Sequence, residues 1–446
     1  MDSYLIGLLG VLLLFFLLAI GTHIGIALAV SGFVGIYLVT GFQQAIKLCV
    51  TAFYHKISGP VLIILPLFIL MGYLASGGGI SGKLYNSLSL WLGRFRSGLG
   101  IATVFGCTAF GTVCGSSLVT TAVFTKICAP EMRRHGYSKE IAHAICASAG
   151  SIGMLIPPSI LAIVYGMLSG VSIGKVLMAG VAPGIIWAGL FSLTIVIQAR
   201  YKPGTIAPTK KLHEATLTEK LKSLIDWWPI ILVAAITFGG IYGGVFSPSE
   251  AAAVAAFILI VAYVFMRILP SRGPKRREVL REFRSMLMDT GTTSSMVFLI
   301  MGAATIFSNF IVLTGMTERL SNFIAGMKLS PLGLVILFSF VYLLLGCFLD
   351  SISMLCITIP LFNPIIQKAG IDPIWYATIV IVSIEIGLIT PPVGLNLYAA
   401  KGAAEPDVTL EHIIRGVIPF LIAELISLVI FFAFPILSTF LPSFVG

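Results

Sequence analysis

Charged residues are scarce in this chain of 446 residues. Asp, Glu, Lys and Arg together make up 10% of it, whereas hydrophobic residues make up 58%. A soluble globular protein carries about 25% charged residues, because its surface must face water. This composition leaves more apolar surface than any water-soluble fold could bury, so soluble enzymes and soluble binding proteins are excluded.

Metal-binding and catalytic motifs are also lacking. The seven cysteines include no C-x-x-C pair, the six histidines are scattered, and no H-E-x-x-H stretch occurs. An intramembrane hydrolase needs a metal pair, paired aspartates or a nucleophile beside a base. We therefore expect a protein that is not an enzyme, with cysteines that serve as small packing residues.

The chain has instead a series of long apolar runs, such as Val176–Ile197 and Ile413–Leu441. Several reach the roughly 20 residues that a helix needs to cross a bilayer. The runs are continuous rather than alternating, which indicates helices and not barrel strands. Leu5–Ile20 lacks a basic start and is followed at once by Ile24–Val39, so we expect a retained span rather than a signal peptide. The sequence predicts an all-α polytopic membrane protein with one domain over residues 1–446.

Two basic segments carry much of the net charge of +10. Arg200–Lys222 holds six Lys or Arg against two Glu, and Arg267–Arg284 holds seven against two. Cations beside membrane spans stay on the cytoplasmic side. We therefore predict cytoplasmic basic loops that flank a two-helix hairpin within residues 199–289, and no nucleic-acid partner. Binding of lipid head groups is an alternative use of the same cations.

Two stretches of the chain match at a constant offset of 234 residues. Pro130, Gly136, Gly153, Pro157 and Pro158 correspond to Pro364, Gly370, Gly387, Pro391 and Pro392. Five Gly or Pro matches in one register indicate a duplication, and a duplicated apolar unit with a proline break is typical of membrane transporters. We assign the first repeat to residues 60–170 and the second to residues 294–402.

The cations suggest that the two repeats are inverted relative to each other. Lys126–Lys139 contains four Lys or Arg, whereas its shifted counterpart Pro360–Pro373 contains only Lys368. The positive-inside rule then places the first link in the cytoplasm and the second outside. A parallel duplication with later drift of charge is the alternative.

Each repeat contains a break in apolar sequence, at Gly153–Ser159 and at Gly387–Asn396. Proline has no amide hydrogen, so carbonyl groups upstream of the break lose their helical partners. Bare carbonyls in mid-membrane are tolerated where they line a cavity, and they suit a hard cation such as sodium. The helix that resumes after each break points its positive N-terminus at the same place, which suits a carboxylate. A simple proline kink is the alternative.

Small and hydroxyl residues precede each break and predict re-entrant hairpin tips. Ser116 and Ser117 in the first repeat correspond to Asp350 and Ser351 in the second. A carboxyl group in the middle of an apolar run is a functional candidate, and Asp350 is the first such candidate. Glu385, two residues before the second break, could orient the break or reach water and ranks below it. With Asn396, which can donate and accept hydrogen bonds, these residues form the predicted substrate site: Ser116, Ser117, Asp350, Ser351 and Asn396.

A separate local signal lies between the middle spans. Ser247 followed by Pro248 and Glu250 forms a capping box, which predicts a sharp helix start on the external side.

Taken together, these motifs resemble the large membrane subunit of the tripartite ATP-independent periplasmic (TRAP) transporters. The resemblance covers nearly the whole chain. It rests on an ensemble of short motifs, namely Gly115-Ser116-Ser117; Pro130-x-Met132-x-x-x-Gly136-Tyr137; Gly153-x-Leu155-Ile156-Pro157-Pro158-Ser159; Ser247-Pro248-Ser249-Glu250-Ala251-Ala252-Ala253; Gly346-x-x-x-Asp350; and Gly387-x-x-Thr390-Pro391-Pro392-x-Gly394-x-Asn396-Leu397.

This resemblance implies an elevator-type importer in the bacterial inner membrane. Such a protein uses a sodium gradient to carry an organic acid, for example a C4-dicarboxylate or a sugar acid. A periplasmic binding protein delivers the acid, and a small four-helix membrane subunit assists. A standalone sodium–anion symporter is the alternative. The implied sodium ligands lie at Thr112, Gly115, Gly153, Ile156 and Pro157, and at Gly346, Gly387, Thr390 and Val393.

Overall fold

The fold is known from a computed structural model that describes residues 3–202, 204–206, 216–271 and 273–444. These residues are almost entirely helical, and the described chain contains one isolated β-bridge, between Tyr137 and Ile206. The helices of the first half are α1 (Ser3–Ala19), α2 (Ile24–Thr40), α3 (Phe42–Ile57), α4 (Ile64–Gly77), α5 (Ile80–Leu92), α6 (Gly98–Cys114), α7 (Ser117–Arg134), α8 (Lys139–Ile152), α9 (Ile160–Ser169), α10 (Ile173–Ala179) and α11 (Val181–Tyr201).

The helices of the second half are α12 (Leu217–Ser223), α13 (Trp228–Ala234), α14 (Pro248–Tyr263), α15 (Pro274–Leu313), α16 (Met316–Gly326), α17 (Pro331–Gly346), α18 (Ser351–Lys368), α19 (Pro373–Ile389), α20 (Leu395–Ala403), α21 (Leu410–Ala433) and α22 (Ile436–Thr439). Short 3-10 or π-helical turns adjoin them at Pro60–Ile63, Leu224–Trp227, Ala235–Gly240, Val264–Ile268 and Leu441–Phe444.

The described chain contains six helical stretches that are long and apolar enough to cross a membrane. They are Pro60–Gly77, Ile173–Tyr201, Leu217–Gly240, Pro248–Ile268, Lys275–Leu313 and Leu410–Ala433. The shorter apolar helices include α6, α9, α17 and α19, which lead to or from the tips and breaks. The predicted all-α, polytopic class is confirmed.

The helices of the two repeats follow the offset seen in the sequence. Shifting the first residues of α7 and α8 by 234 positions gives Ser351 and Pro373, where α18 and α19 begin. The starts of α6 and α9, shifted likewise, fall within one residue of the starts of α17 and α20. Each repeat thus has one hairpin (α6–α7 or α17–α18) followed by one broken helix (α8–α9 or α19–α20).

The two repeats interlock reciprocally. Helix α7 packs against α20, and α18 packs against α9. The offset of 234 residues makes α7 equivalent to α18 and α9 equivalent to α20. The two contacts are therefore equivalent, because in each one the second hairpin helix of one repeat packs against the second half of the broken helix of the other. Reciprocity of this kind is the property of a two-fold relation.

Contacts at the ends of the broken helices give their directions. The residues that follow α20 meet the turn between α7 and α8, where Arg133 donates to Asp407 at 2.7 Å. The end of α9 meets the last turns of α18, where Asn363 donates to the carbonyl of Ser169 at 3.3 Å, and the start of α19, where Tyr165 donates to the carbonyl of Pro373 at 3.2 Å. The two broken helices therefore run in opposite directions between two faces of the molecule, which supports the predicted inversion.

The two basic segments differ from the loops that the sequence predicted. Residues 274–289 are the first part of α15, a continuous helix of 40 residues. Pro274 at its first turn suits a helix start, and no further proline interrupts the run to Leu313. Of the other basic segment, residues 207–215 lie outside the described part, while residues 204–206 attach to the first repeat: the Ser138 amide donates to the Thr205 carbonyl at 2.8 Å.

The predicted capping box at the start of α14 is confirmed. The Ser247 hydroxyl accepts from the Glu250 amide at 3.4 Å, and the Glu250 carboxylate accepts from the Ser247 amide at 2.8 Å. These two bonds satisfy donors that a helix start would otherwise leave unpaired.

Candidate functional site

The first hairpin tip lies at Gly115 and Ser116, between α6 and α7. Gly115 has a φ of +62°, a left-handed conformation that favours glycine. A Cβ atom there would also lie 2.6 Å from the Pro158 carbonyl oxygen of the first break. Ser116 caps α7, since its hydroxyl accepts from the Val119 amide at 3.5 Å. Ser116 is half-buried, whereas Ser117 is fully buried.

The second hairpin tip spans residues 347–350, between α17 and α18. Asp350 caps α18: its carboxylate accepts from the Ser353 amide at 3.1 Å and also from the Ser353 hydroxyl. The structure therefore gives Asp350 a structural role, that of an N-cap. Its side chain is still half-buried, and Ser351 beside it is buried.

Both breaks are non-helical segments between two helices. The first ends at Ser159, whose hydroxyl caps α9 by accepting from the Ala162 amide at 3.2 Å. The second begins at Thr390, an extended residue, and ends at Gly394, which has a φ of +60°. The Pro157–Pro158 and Pro391–Pro392 peptide bonds are both cis.

Each tip closes onto the break of its own repeat through a pair of glycines. A Cβ atom at Gly111 would lie 2.3 Å from the Gly153 Cα, and one at Gly346 would lie 2.7 Å from the Gly387 Cα. Backbone hydrogen bonds reinforce both closures: the Ile160 amide donates to the Gly115 carbonyl at 3.5 Å, and the Gly394 amide donates to the Cys347 carbonyl at 3.3 Å. Each repeat thus has its own group of tip and break residues in contact. Of the predicted sodium ligands, Gly115, Gly153, Gly346 and Gly387 take part in these contacts, whereas Thr112 lines a cavity with Trp91 and Trp227.

The two groups offer oxygen atoms that fit a hard cation. Thr112 donates its hydroxyl hydrogen to the Ala109 carbonyl, and Thr390 donates to the Ile386 carbonyl, each at 2.7 Å. A hydroxyl oxygen that donates in this way keeps its lone pairs for another partner. The prolines supply no amide hydrogens to the carbonyls of the preceding turn. Carbonyl and hydroxyl oxygens are the ligands that hard cations prefer.

Two of the predicted substrate residues connect the repeats to each other. The Ser117 hydroxyl donates to Glu385 Oε1 at 3.4 Å, and Asn396 Nδ2 donates to the Ser151 hydroxyl at 3.2 Å. All four side chains are fully buried. In this conformation Ser117 and Asn396 hold the hairpin and the broken helices together, whereas Ser116 remains partly accessible.

A small cavity lies beside Ser116, between the first tip and helices α4 and α15. Its volume is about 60 Å³, and its lining includes Tyr73 and Thr293. A water molecule occupies roughly 30 Å³ of liquid, so this space holds about two. Sequence reasoning missed both lining residues, because they are ordinary polar residues of long apolar helices and carry no motif.

A larger cavity lies between the end of α3, the end of α9 and the start of α14. It measures about 610 Å³ and is lined by Lys56, Ser172 and Ser247, among others. The Lys56 ammonium donates to the Met167 carbonyl at 3.0 Å, and burial lowers the pKa of this lysine. A cavity of this size accommodates a small organic molecule.

A cluster of charged residues joins the first repeat to the segment after α20. Arg133 forms two bonds to Asp407, at 3.0 and 2.7 Å, and lies 3.3 Å from Glu405. His143 lies 2.8 Å from Glu405. Burial by itself would raise the pKa of Glu405, but hydrogen bonds from its own backbone amide and from His143 lower it overall. The hydrogen bond from Arg133 lowers the pKa of Asp407.

Comparison with known proteins shows what the chain resembles. Residues 11–437 match the sequence model of the family described as "Tripartite ATP-independent periplasmic transporter, DctM component". The C4-dicarboxylate TRAP transporter large permease protein DctM of Pseudomonas aeruginosa is 34% identical, over 90% of each chain. The isethionate TRAP transporter permease protein DctMQ of Oleidesulfovibrio alaskensis is 30% identical, over 93% of this chain and 62% of the relative.

A solved structure shares the fold at low sequence identity. The YdaH transporter of Alcanivorax borkumensis superimposes with a TM-score of 0.61 at 15% identity, covering 89% of each chain. This likeness shows the architecture of the helices, and it says nothing of the cargo.

Proposed function

Because the chain belongs to the large-permease family of the TRAP transporters, and is therefore a multi-pass inner-membrane transporter subunit rather than an enzyme, we propose that it imports a small organic acid in symport with sodium. The observation that carries this proposal is the pair of tip–break closures, Gly111 on Gly153 and Gly346 on Gly387. Each closure gathers hydroxyl and carbonyl oxygens at a break, and two such groups match a coupling mechanism with two ions.

The sodium ligands proposed for each site are the residues gathered at its tip and break. Sodium itself would neutralise the cluster of oxygen dipoles and draw the tip onto the break. Thr390 would contribute its hydroxyl oxygen, which already donates its hydrogen to the Ile386 carbonyl. The first site would take Thr112, Gly115, Gly153, Ile156 and Pro157, and the second Gly346, Gly387, Thr390 and Val393.

The cargo we propose is a carboxylate or a comparable small anion. Helices α9 and α20 begin at the two breaks and point their positive N-termini toward the site. Ser116 faces the small cavity, which would have to widen to admit an organic acid. Lys56 in the larger cavity would attract an anion toward the protein. The names of two relatives, for C4-dicarboxylate and for isethionate, are consistent with anionic cargo.

An elevator motion fits the way the helices are connected. The two hairpins and the two broken helices interlock through α7 on α20 and α18 on α9, which favours movement as one body. Helices α1–α4, α14 and α15 pack mainly among themselves and would form the stationary scaffold. Contacts that cross between the two parts, such as Lys56 to the Met167 carbonyl, would then break and re-form during transport.

Transporters of this family work in general with a substrate-binding protein and a small membrane subunit. We propose that this chain does so too, with a four-helix subunit in the membrane and a periplasmic binding protein that delivers the acid. The longer DctMQ relative, of which this chain covers 62%, leaves room for a fused second subunit. A standalone sodium–anion symporter is the second candidate, and co-purification of a small membrane protein would decide between them.

Sodium replacement tests the coupling. Uptake into proteoliposomes should disappear when choline replaces sodium, and its dependence on sodium concentration should have a Hill coefficient above one. Thr390→Val keeps the shape of the residue but removes its oxygen. The loss of one buried polar ligand costs about 1–3 kcal/mol, so the sodium affinity should fall roughly five- to 150-fold. Undiminished uptake driven by a proton gradient without sodium would refute the sodium coupling.

A further inference from the structure

An apolar cavity of about 470 Å³ lies beside the first hairpin, between α5, α6 and the turn Leu224–Trp227. Aliphatic and aromatic side chains form most of its lining, among them Phe105 and Ala109. The two hydroxyl groups in the lining, those of Thr108 and Thr112, donate their hydrogens to carbonyl groups one turn earlier in α6, at 2.8 and 2.7 Å. The walls therefore offer few partners to a polar molecule, and they suit a hydrocarbon chain.

One wall of the cavity belongs to a stretch that is able to cross the membrane. This stretch is Leu217–Gly240, and its Leu221 and Ile225 side chains are 55% and 68% exposed. Exposed apolar side chains on such a stretch face the acyl chains of the bilayer. Along α6, the lining runs from Phe105 to Thr112, which is two turns of helix or about 10 Å. An acyl chain of the bilayer would thus have access to the cavity and a straight path along α6.

Basic side chains lie at one edge of the cavity. Trp91 is part of the lining, and the Lys220 ammonium lies 5.9 Å from the centroid of its ring. The Trp91 indole also donates to the Lys220 carbonyl at 3.3 Å. Lys222 in the same helix as Lys220, and Arg94 just after α5, are exposed. Cations at the membrane surface attract anionic head groups, so this edge fits a lipid of negative charge.

The acidic residues of the same region are fewer and already engaged. Glu219 accepts from a backbone amide in the cap of α12, and Asp226 pairs with Lys83 at 3.0 Å. Counting Lys83, four cations in this region face two carboxylates. The edge of the cavity therefore keeps a positive charge.

This edge lies at the face for which the sequence predicts the cytoplasm. Arg96, five residues after Trp91, donates to the Ile206 carbonyl at 3.0 Å. Ile206 in turn forms the β-bridge with Tyr137, which belongs to the basic link Lys126–Lys139. Anionic lipids give the cytoplasmic leaflet its negative surface potential, so the lipid that fits the cavity is present on this side.

A buried donor without an acceptor is a second indication of a ligand. Trp227 lines the cavity, and its Nε1–H group has no hydrogen-bond partner among the described residues. A buried polar group without a partner is costly. The phosphate and ester oxygens of a phospholipid are acceptors, and Trp side chains are enriched at the level of lipid head groups.

We propose that this cavity binds one acyl chain of an anionic phospholipid, whose head group lies on Lys220 and Lys222. The chain would fill the apolar space along α6, and a phosphate or ester oxygen would accept from Trp227. Such a lipid would touch α5, α6 and the Leu224–Trp227 turn at the same time, so its presence would fix the first hairpin relative to these elements. The proposal concerns the membrane face of the hairpin, and it stands whichever ion and cargo are transported.

Tryptophan fluorescence with brominated lipids tests the site, because bromine atoms on an acyl chain quench only nearby indoles. The protein is reconstituted in phosphatidylcholine vesicles that contain a small fraction of brominated phosphatidylglycerol or of brominated phosphatidylcholine. The emission lost in Trp227→Phe gives the contribution of Trp227. Trp228→Phe is the matched control, since Trp228 is the next residue and is 41% exposed. We expect brominated phosphatidylglycerol to quench the Trp227 contribution more strongly than brominated phosphatidylcholine does, and both lipids to quench the Trp228 contribution alike.

Charge variants separate a head-group site from general contact with the bilayer. In the Lys220→Gln, Lys222→Gln double variant, the preference of the Trp227 contribution for phosphatidylglycerol should fall roughly fivefold for each lysine removed, the factor that corresponds to about 1 kcal/mol of attraction per cation. Arg276→Gln, Arg277→Gln removes the same charge from the exposed start of α15, outside the cavity. This control should leave the preference unchanged, and a preference that the lysine variant also keeps would contradict the proposed head-group site.

Ala109→Phe would fill the cavity and tests the position of the chain. The preferential quenching of Trp227 should disappear in this variant; should it not fold, as judged by thermal unfolding, the lysine variants decide. Equal quenching of Trp227 by both brominated lipids would indicate ordinary bilayer contact and would overturn the proposal. Normal quenching of Trp228 without any quenching of Trp227 would mean that a protein segment covers the cavity, and it would overturn the proposal equally.

Discussion

The contact between Gly346 and Gly387 should control the sodium affinity of the second site. A Cβ atom added at Gly387 would lie 2.7 Å from the Gly346 Cα and 3.2 Å from its carbonyl carbon. Carbon atoms pack at about 3.5–4.0 Å, so Gly387→Ala must push α17 and α19 apart by about 1 Å. Backbone atoms cannot rotate away as a flexible side chain could, so the tip itself has to move off the break.

This displacement can be converted into an expected loss of affinity. Overpacking of a well-packed interior costs about 1–3 kcal/mol, and ion ligands must keep their distances to about 0.2 Å. If this cost falls on the closed, ion-bound conformation, the sodium affinity drops roughly five- to 150-fold, because about 1.4 kcal/mol corresponds to a factor of ten. Gly111→Ala should have a similar effect at the first site, since its Cβ would lie 2.3 Å from the Gly153 Cα.

The assay is sodium-dependent uptake into proteoliposomes, with the thermal unfolding midpoint measured on the same preparations. Gly402→Ala is the matched control: it lies near the end of α20, the helix that follows the second break, and a Cβ atom there would have nothing within 4 Å. We expect Gly402→Ala to keep the wild-type sodium dependence and stability. A Gly387→Ala protein that reaches half-maximal uptake at the wild-type sodium concentration would refute the idea that tip closure forms the site.

Three further outcomes test other parts of the structure. Asp350→Asn should still fold, but its uptake should be impaired if the charge of Asp350 takes part in binding the cargo. Uptake at the wild-type level would show that Asp350 acts only as a helix N-cap, a role that Asn can also fill. The pKa of Glu405 is lowered in the folded protein, so its contribution to stability is present above the ordinary Glu pKa of about 4.3 and is lost as the pH falls through the folded-state pKa. The thermal unfolding midpoint of Glu405→Gln should therefore fall less on acidification than that of the wild-type protein. Glu411→Gln should leave this pH dependence unchanged. In a background with the native cysteines replaced, cysteine at Lys139 should react with impermeant reagents from the cytoplasm, and cysteine at Lys368 from the outside; labelling from one side only would contradict the inversion.

The sequence was most informative where the backbone itself is constrained. Proline lacks an amide hydrogen wherever it occurs, but single prolines such as Pro130 and Pro419 lie inside continuous helices. The matched register of Gly and Pro, rather than the prolines alone, located the breaks at Pro157 and Pro391 and with them the hairpins. The capping box at Ser247 is equally local, because its two hydrogen bonds join residues three positions apart. A local pattern of this kind can be recognised in the sequence without knowing how the helices pack.

Contacts between the repeats could not be predicted in the same way. The offset pairs Ser117 with Ser351, its equivalent, whereas in the structure Ser117 touches Glu385, 268 positions away. A sequence offset identifies positions that are alike, and it does not say which of them meet. Asp350 was ranked first among the carboxyl groups, although a carboxylate directly before a helix is often an N-cap, as it is here.

The reciprocal packing of the repeats gives a physical route for coupling between the two proposed ion sites. Helix α7 begins at the first tip and packs against α20, which begins at the second break; α18 begins at the second tip and packs against α9, which begins at the first break. Closing either tip onto its own break therefore moves a helix that borders the other site. Coupling requires a structural element whose position depends on the state of both sites. The two equivalent helix pairs, α7 with α20 and α18 with α9, meet that requirement. Cooperative sodium dependence is thus expected from the interlock itself, whichever organic acid is carried.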